Sequence, residues 1–260
     1  MRIASLGHAV FAAAMIALGM LGLIEGDFAS VWQPVPADFP ARQPLAYLCA
    51  AISLAGGVGL LLRQAEALAA RVVLVYLLLW LLLLKAPDVL HAPAIEVSWL
   101  GVGEIAVILA GAWVLCAWFS AGGGNRYFAF VAGDKGLRNA RLLFGLSLIP
   151  LGLAHLAYVN ETAAMVPGWL PAHRIFAFAT GCSYLAAGAA VLTGIRASLA
   201  AALCALQMGG FTLLVWLPHI VAGTRDGFQW SGTLISLALT AGAWVVADSY
   251  RKLARPSAAA

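Results

Sequence analysis

Charge is scarce in this chain. Asp, Glu, Lys and Arg make up 10% of its 260 residues, where a soluble domain carries about a quarter. Cysteine is scarce too. Cys49, Cys116, Cys182 and Cys204 form no C-x-x-C, and none has a His or second Cys at metal-ligand spacing. That argues against dithiol redox chemistry and a zinc site, and the four read as small apolar residues within helices. There is no G-x-x-x-x-G-K-[ST], and Gly122-Gly-Gly124 follows no strand, so nucleotide chemistry has no foothold. No H-E-x-x-H and no Ser-His-Asp arrangement can be drawn. The alternation of a lipid-facing barrel strand is also missing.

What fills the chain is apolar. Hydrophobic residues make up 63% and the mean hydropathy is +0.94, which places the sequence in the integral-membrane class. Eight segments reach the roughly 17–25 residues that cross a hydrocarbon core. They are Ser5–Ile24, Pro44–Leu62, Leu68–Leu84, Ser98–Phe119, Leu142–Val159, Arg174–Ile195, Ser198–Leu217 and Trp230–Asp248. Helices satisfy their own backbone groups in lipid, so an all-α fold is expected. Pro150 should kink the fifth span.

The net charge of +4 and pI of about 9.0 follow from sidedness, and nucleic acid is not needed to explain them. With the termini on one side, only Arg42, Lys85, Arg174 and Arg225 among the Lys and Arg fall on the other. The positive-inside rule then makes both termini cytoplasmic. Trp32, Trp99, Trp169, Trp216 and Trp230 collect at the expected outer boundary, as interfacial anchors do.

The chain also repeats itself at a separation of 131 residues. Val35-Pro36 and Pro40 recur as Val166-Pro167 and Pro171, and Pro87 recurs as Pro218. Trp99 and Gly101 recur as Trp230 and Gly232, and Ala110-Gly-Ala-Trp-Val114 recurs intact as residues 241–245. A fixed period dictates architecture. An even number of helices per copy makes the copies parallel, related by an axis along the membrane normal. The expected division is a first four-helix unit over 1–119, a cytoplasmic linker over 120–140, a second unit over 141–250 and a tail over 251–260. At a separation of 130, Gly22-Leu-x-Glu25-x-x-Phe28 matches Gly152-Leu-x-His155-x-x-Tyr158. The first span is thus read as a retained helix and not as a cleaved signal.

Gly152-Leu-Ala-His155-Leu-Ala-Tyr158, the loop Val166-Pro-Gly-Trp-Leu-Pro171, then Gly181 and Ala187-Gly188 before the basic turn at Arg196 resemble the DoxX family. The resemblance covers Arg141 to Tyr250 and reaches the first unit weakly, because Glu25 stands in place of the histidine. It implies a four-helix membrane unit in a bacterial inner membrane. It also implies a link to quinone-coupled oxidation and to other redox membrane proteins. Two fused units depart from the usual single-unit member.

The copies differ where chemistry is expected. Glu25 aligns with His155, and Asp88 with His219. If the units pack about a pseudo-two-fold axis, each acid could approach its histidine. A carboxylate beside an imidazole makes a proton-accepting pair. Solvated interfacial histidines, or a divalent metal held by imidazole and carboxylate, are the competing readings. Glu104 lies about two turns into the fourth span, where a carboxylate costs on the order of 2–3 kcal/mol and often marks a pathway. Gln207 reads as an interhelical hydrogen-bonding residue. The expectation is a redox-associated membrane protein, with quinone as the cofactor in view and His155, His219, Glu25, Asp88 and Glu104 handling protons. A small-solute or metal permease is the rival, and a membrane scaffold the third reading.

Overall fold

The computed structural model describes residues 3–29, 33–120, 130–224 and 226–251. Among them there are eight helices long and apolar enough to cross a membrane. They are α1 (Leu6–Glu25), α2 (Arg42–Leu61), α3 (Glu66–His91), α4 (Glu96–Phe119), α5 (Gly133–Ala157), α6 (His173–Thr193), α7 (Ala197–Val221) and α8 (Gly227–Asp248). A short helix, Val159–Ala164, follows α5. Large apolar side chains such as Leu68, Leu83, Leu206 and Leu213 are exposed on the outside of the bundle. That pattern suits lipid and would be ruinous in water.

The third and seventh spans run past their expected ends at Leu84 and Leu217. In each, a π-helical turn precedes a proline: Leu81–Lys85 before Pro87 and Thr212–Trp216 before Pro218. Proline lacks an N–H and crowds the preceding turn, and the wider π turn takes up the mismatch so the helix continues. The two turns are 131 residues apart. So are Ala41 and Ala172, which precede α2 and α6 at φ of 55° and 56°, a left-handed conformation uncommon outside glycine.

The expected linker is shorter than its 120–140 bounds. Residues 121–129 lie outside the described residues, and from Gly133 the chain is already helical, with Asp134 in the first turn of α5. An acid there favours the helix N-terminus. Most of the expected tail, 252–260, also lies outside the described residues, as do Trp32 and Arg225. The helix α5 runs through Pro150, which packs with Leu151 against Gly103 of α4.

Helices α4 and α8 are the most enclosed and pack against one another. Around them α1 packs on α2 and α8, while α5 packs on α6 and α4. Further contacts join α2 to α3, α3 to α4, α6 to α7, and α7 to α8. Close approach in lipid uses small residues. A Cβ at Gly111 would lie 2.6 Å from Gly242 Cα, and these two glycines are again 131 residues apart. Leu6 and Asp248 lie at the same end of the bundle, since a Cβ at Gly7 would sit 2.9 Å from Asp248 Oδ2. The opposite end carries the V-P-x-x-x-P loops and is called the loop end below.

Candidate functional site

A cavity of about 220 Å³ opens among α4, α5, α6, α7 and α8. Its wall is mostly apolar, with Leu151, Met208, Phe211 and Leu239 among the lining. Into it come Glu104 from α4, His155 from α5, Tyr184 from α6 and Ser236 from α8. A pocket of this make-up, apolar with a few convergent polar groups, is the usual form of a small-molecule site.

His155 is held by its own helix and Ser236 by a neighbouring one. His155 stands one turn beyond Leu151, and its Nδ1–H donates to the Leu151 carbonyl at 2.7 Å. That bond leaves Nε2 as the accepting nitrogen. The imidazole meets the buried Tyr184 ring edge-on, with centroids 5.3 Å apart and planes at 61°. Ser236 is bound by Thr212 Oγ1 at 2.8 Å, and Thr212 also reaches Thr240 Oγ1 at 3.0 Å. These hydroxyls tie the π turn of α7 to α8. Gln207, expected as an interhelical link, accepts from Ser183 Oγ at 2.5 Å and so joins α7 to α6.

Trp216 was expected at the interface as an anchor. It lies half-buried at the loop end, against Gly232, whose missing Cβ would stand 2.2 Å from the indole. There Trp216 lines both the cavity and a groove of about 530 Å³ at the loop end. Trp99 and Trp230 are exposed, each indole N–H donating to a carbonyl six residues earlier, Pro93 at 2.9 Å and Thr224 at 3.2 Å. Cys49, Cys116 and Cys204 are buried and Cys182 is exposed, all with free thiols.

Of the five residues singled out for proton handling, Glu104 and His155 share the cavity and the others lie elsewhere. Glu25 is exposed at the end of α1, where its carboxylate faces Gly227 at the start of α8 in the company of Asp27 and Asp226. The contacts of His155 are Leu151 and Tyr184, so the anticipated Glu25–His155 pair does not form. The reason is that α1 leans on α8 while α5 leans on α4, which keeps their loop-end termini apart. His219 is exposed and lines the groove with Trp169 and Phe228. Asp88 is exposed on the last turns of α3 beside Lys85, and that pair does not form either. Among the described residues, no group of three or more His, Cys, Asp and Glu is gathered as a metal would require.

Sequence reasoning passed over Tyr184, Trp216 and Lys85. A signal for each was present, since the residues 131 positions away are Ser53, Lys85 and Trp216, all changes of size or charge. In the first half of the chain the corresponding space is filled. Gln33 Nε2 donates to Tyr76 Oη at 2.9 Å, and Ser53 Oγ donates to the same oxygen at 3.3 Å. Phe28 and Tyr76 both pack edge-on against Trp80, and only about 10 Å³ stays open. Gln33→Ala is expected to lower stability by about 1–3 kcal/mol, because it removes a buried partner of Tyr76. Thermal unfolding in detergent checks this, and an unchanged melting temperature would refute the filling role.

The described residues define a polytopic all-α membrane protein with an internal, mostly apolar cavity. Comparison with protein-family models, with curated proteins and with solved structures returned no match.

Proposed function

We propose that the cavity binds the ring-sized head of a lipid-soluble quinone, and that Glu104 and His155 exchange protons with it in a redox-associated membrane complex. The observation that carries this reading is the convergence of a carboxylate, an imidazole and a phenol on one apolar intramembrane pocket. At about 220 Å³ the space is below the roughly 300–1,000 Å³ of drug-sized sites. It therefore suits one ring, with an isoprenoid tail left in lipid.

The group would supply two-electron, two-proton chemistry, with electrons passing to a redox partner in the membrane. The chain's part is to bind and to move protons. His155 Nε2 and the Glu104 carboxylate accept from a ligand hydroxyl, the Tyr184 ring holds the imidazole plane, and the apolar wall excludes water. A carboxylate or imidazole matched to its task is what proton transfer needs.

This reading includes two parallel four-helix copies in a bacterial inner membrane, with termini cytoplasmic and the loop end outside. The recurring π turns, left-handed alanines and facing glycines support the duplication. The basic residues near the termini support the sidedness. The DoxX resemblance of residues 141–250 enters as likeness of motif.

The test is to purify the protein in mild detergent and assay it for quinone by solvent extraction and mass spectrometry. Stoichiometric quinone in the wild type is expected, with at least a tenfold loss of affinity, about 1.4 kcal/mol, in His155→Ala and Glu104→Gln. Quinone retained by both variants, or a wild type that binds none, would sink the proposal. A quinone-free protein that passes a small solute in vesicles would favour the permease.

A further inference from the structure

Lys85 connects the cavity to the first half of the chain. Its side chain lies along α4, where a Cβ at Gly101 would stand 3.3 Å from Lys85 Cδ and 3.4 Å from Nζ. Gly101 and Glu104 are three residues apart on one helix, and such positions have Cβ atoms about 5–6 Å apart. The ammonium is thus a near neighbour of the carboxylate, close enough for its charge to be felt without a direct salt bridge. Lys85 is buried, and a buried ammonium is costly unless an opposite charge accompanies it.

Two features of the chain build this arrangement. The π turn Leu81–Lys85 carries the lysine over α4, and the glycine at 101 leaves room for its methylenes. The same device at 212–216 lays Trp216 over Gly232, and there the residue corresponding to Glu104 is Ile235. One copy of the device sets a lysine near a carboxylate, and the other sets an indole beside an isoleucine. Both end at the same cavity, which Glu104, Trp216, Gly232 and Ile235 all line. Lys85 itself does not line it, so it acts through Glu104.

We infer that Lys85 is the counter-charge of Glu104, a positioning residue that keeps the carboxylate ionised as a proton acceptor and leaves the cavity electrically neutral toward an uncharged ligand. This inference rests on the proposed reading of the cavity as a proton-exchanging site. The other titratable groups around Glu104 are Glu96 on its own helix, His155 and Tyr158 from α5, and Tyr184 from α6. Helices α7 and α8 present Met208, Phe211, Trp216, Ile235 and Ser236, which do not titrate. Lys85, which also has Asp88 beside it one turn on, is therefore the one lysine or arginine among these neighbours. Without it the carboxylate would either take up a proton or recruit a cation, because an unpaired charge at this depth is expensive.

The test is infrared spectroscopy on the full chain in lipid at neutral pH, which needs no ligand. The wild type is expected to lose a carboxylate band on Glu104→Gln. Lys85→Met is expected to gain the carbonyl band of a protonated acid, and that band should vanish in Lys85→Met/Glu104→Gln. Lys85→Arg should keep the wild-type spectrum. A wild type that loses a protonated-acid band on Glu104→Gln overturns the inference even if Lys85→Met fails to fold. So does a Lys85→Met spectrum with no new carbonyl band.

The second readout uses a short-chain hydroquinone and an alkylammonium of similar size as probes. At a pH raised until the Lys85→Met carbonyl band has gone, the preference for the neutral probe should shift at least tenfold toward the cation in that variant, and an unchanged preference overturns the neutrality claim. The infrared arms report on the ion pair alone. A paired Glu104 in a protein that binds no hydroquinone would therefore remove the quinone reading while the counter-charge role of Lys85 stands.

Discussion

Gly111→Leu and Gly242→Leu are each expected to abolish accumulation of folded protein. A Cβ on Gly111 would lie 2.6 Å from Gly242 Cα and 3.0 Å from its carbonyl oxygen. A Cβ on Gly242 would lie 2.9 Å from Val107 O and 3.1 Å from Ile108 Cα. These neighbours are backbone atoms of the two most enclosed helices, so no rotamer change relieves the clash. Overpacking a core commonly costs about 1–3 kcal/mol when side chains can yield, and here the helices themselves must part. Gly210→Ala is the control, since nothing lies within 4 Å of its added Cβ. It should be neutral or gain about 0.8–1 kcal/mol of helix propensity. Size-exclusion profiles and melting temperatures in detergent decide. A monodisperse Gly111→Leu with the wild-type melting temperature would contradict the α4–α8 contact.

Gly232→Ala is expected to cost the cavity its ligand while leaving the bundle folded. The new methyl would stand 2.2 Å from Trp216 Cζ3 and 2.4 Å from Cη2, so the indole must swing away from α8. The cavity and the loop-end groove share that ring, and any displacement reshapes one or both. An overpacking cost of about 1–3 kcal/mol corresponds to roughly a tenfold to hundredfold loss of affinity. The tryptophan emission should shift with it. Gly101→Ala is the matched comparison, because its methyl meets only the flexible chain of Lys85 at 3.3 Å and should cost little. Equal effects of the two substitutions would refute the gatekeeping contact between Trp216 and Gly232.

Much of the architecture was legible because lipid imposes it. Eight apolar runs have one common solution as helices, and eight such helices are present among the described residues. The missed boundaries fall where a local rule was overridden. Pro87 and Pro218 signal a helix stop, but the π turns before them carry the helix on. The start of α5 was hidden because Arg126, Lys135 and Arg138 look like a surface linker, although nothing in Gly133–Ala157 prevents a helix.

The site was half legible. Glu104 stood out because a carboxylate in an apolar span is costly, and His155 because it broke the match with Glu25. Their meeting in one cavity could not be read, since it depends on α5 packing against α4 and not closing a ring within its own half. Tyr184 and Trp216 were marked only by their mismatch with Ser53 and Lys85, and aromatic residues in a membrane span look alike whether they face lipid, a neighbour or a pocket. The sequence by itself determined the class, the helix count, the small-residue contacts and the existence of charged groups within the spans, because each follows from solvation of one segment at a time. Only the tertiary structure decided which acid shares a cavity with which imidazole, that Gln33, Tyr76 and Trp80 fill the space beside α2 and α3, and that a cavity stays open among α4 to α8, because those outcomes depend on how distant helices pack together.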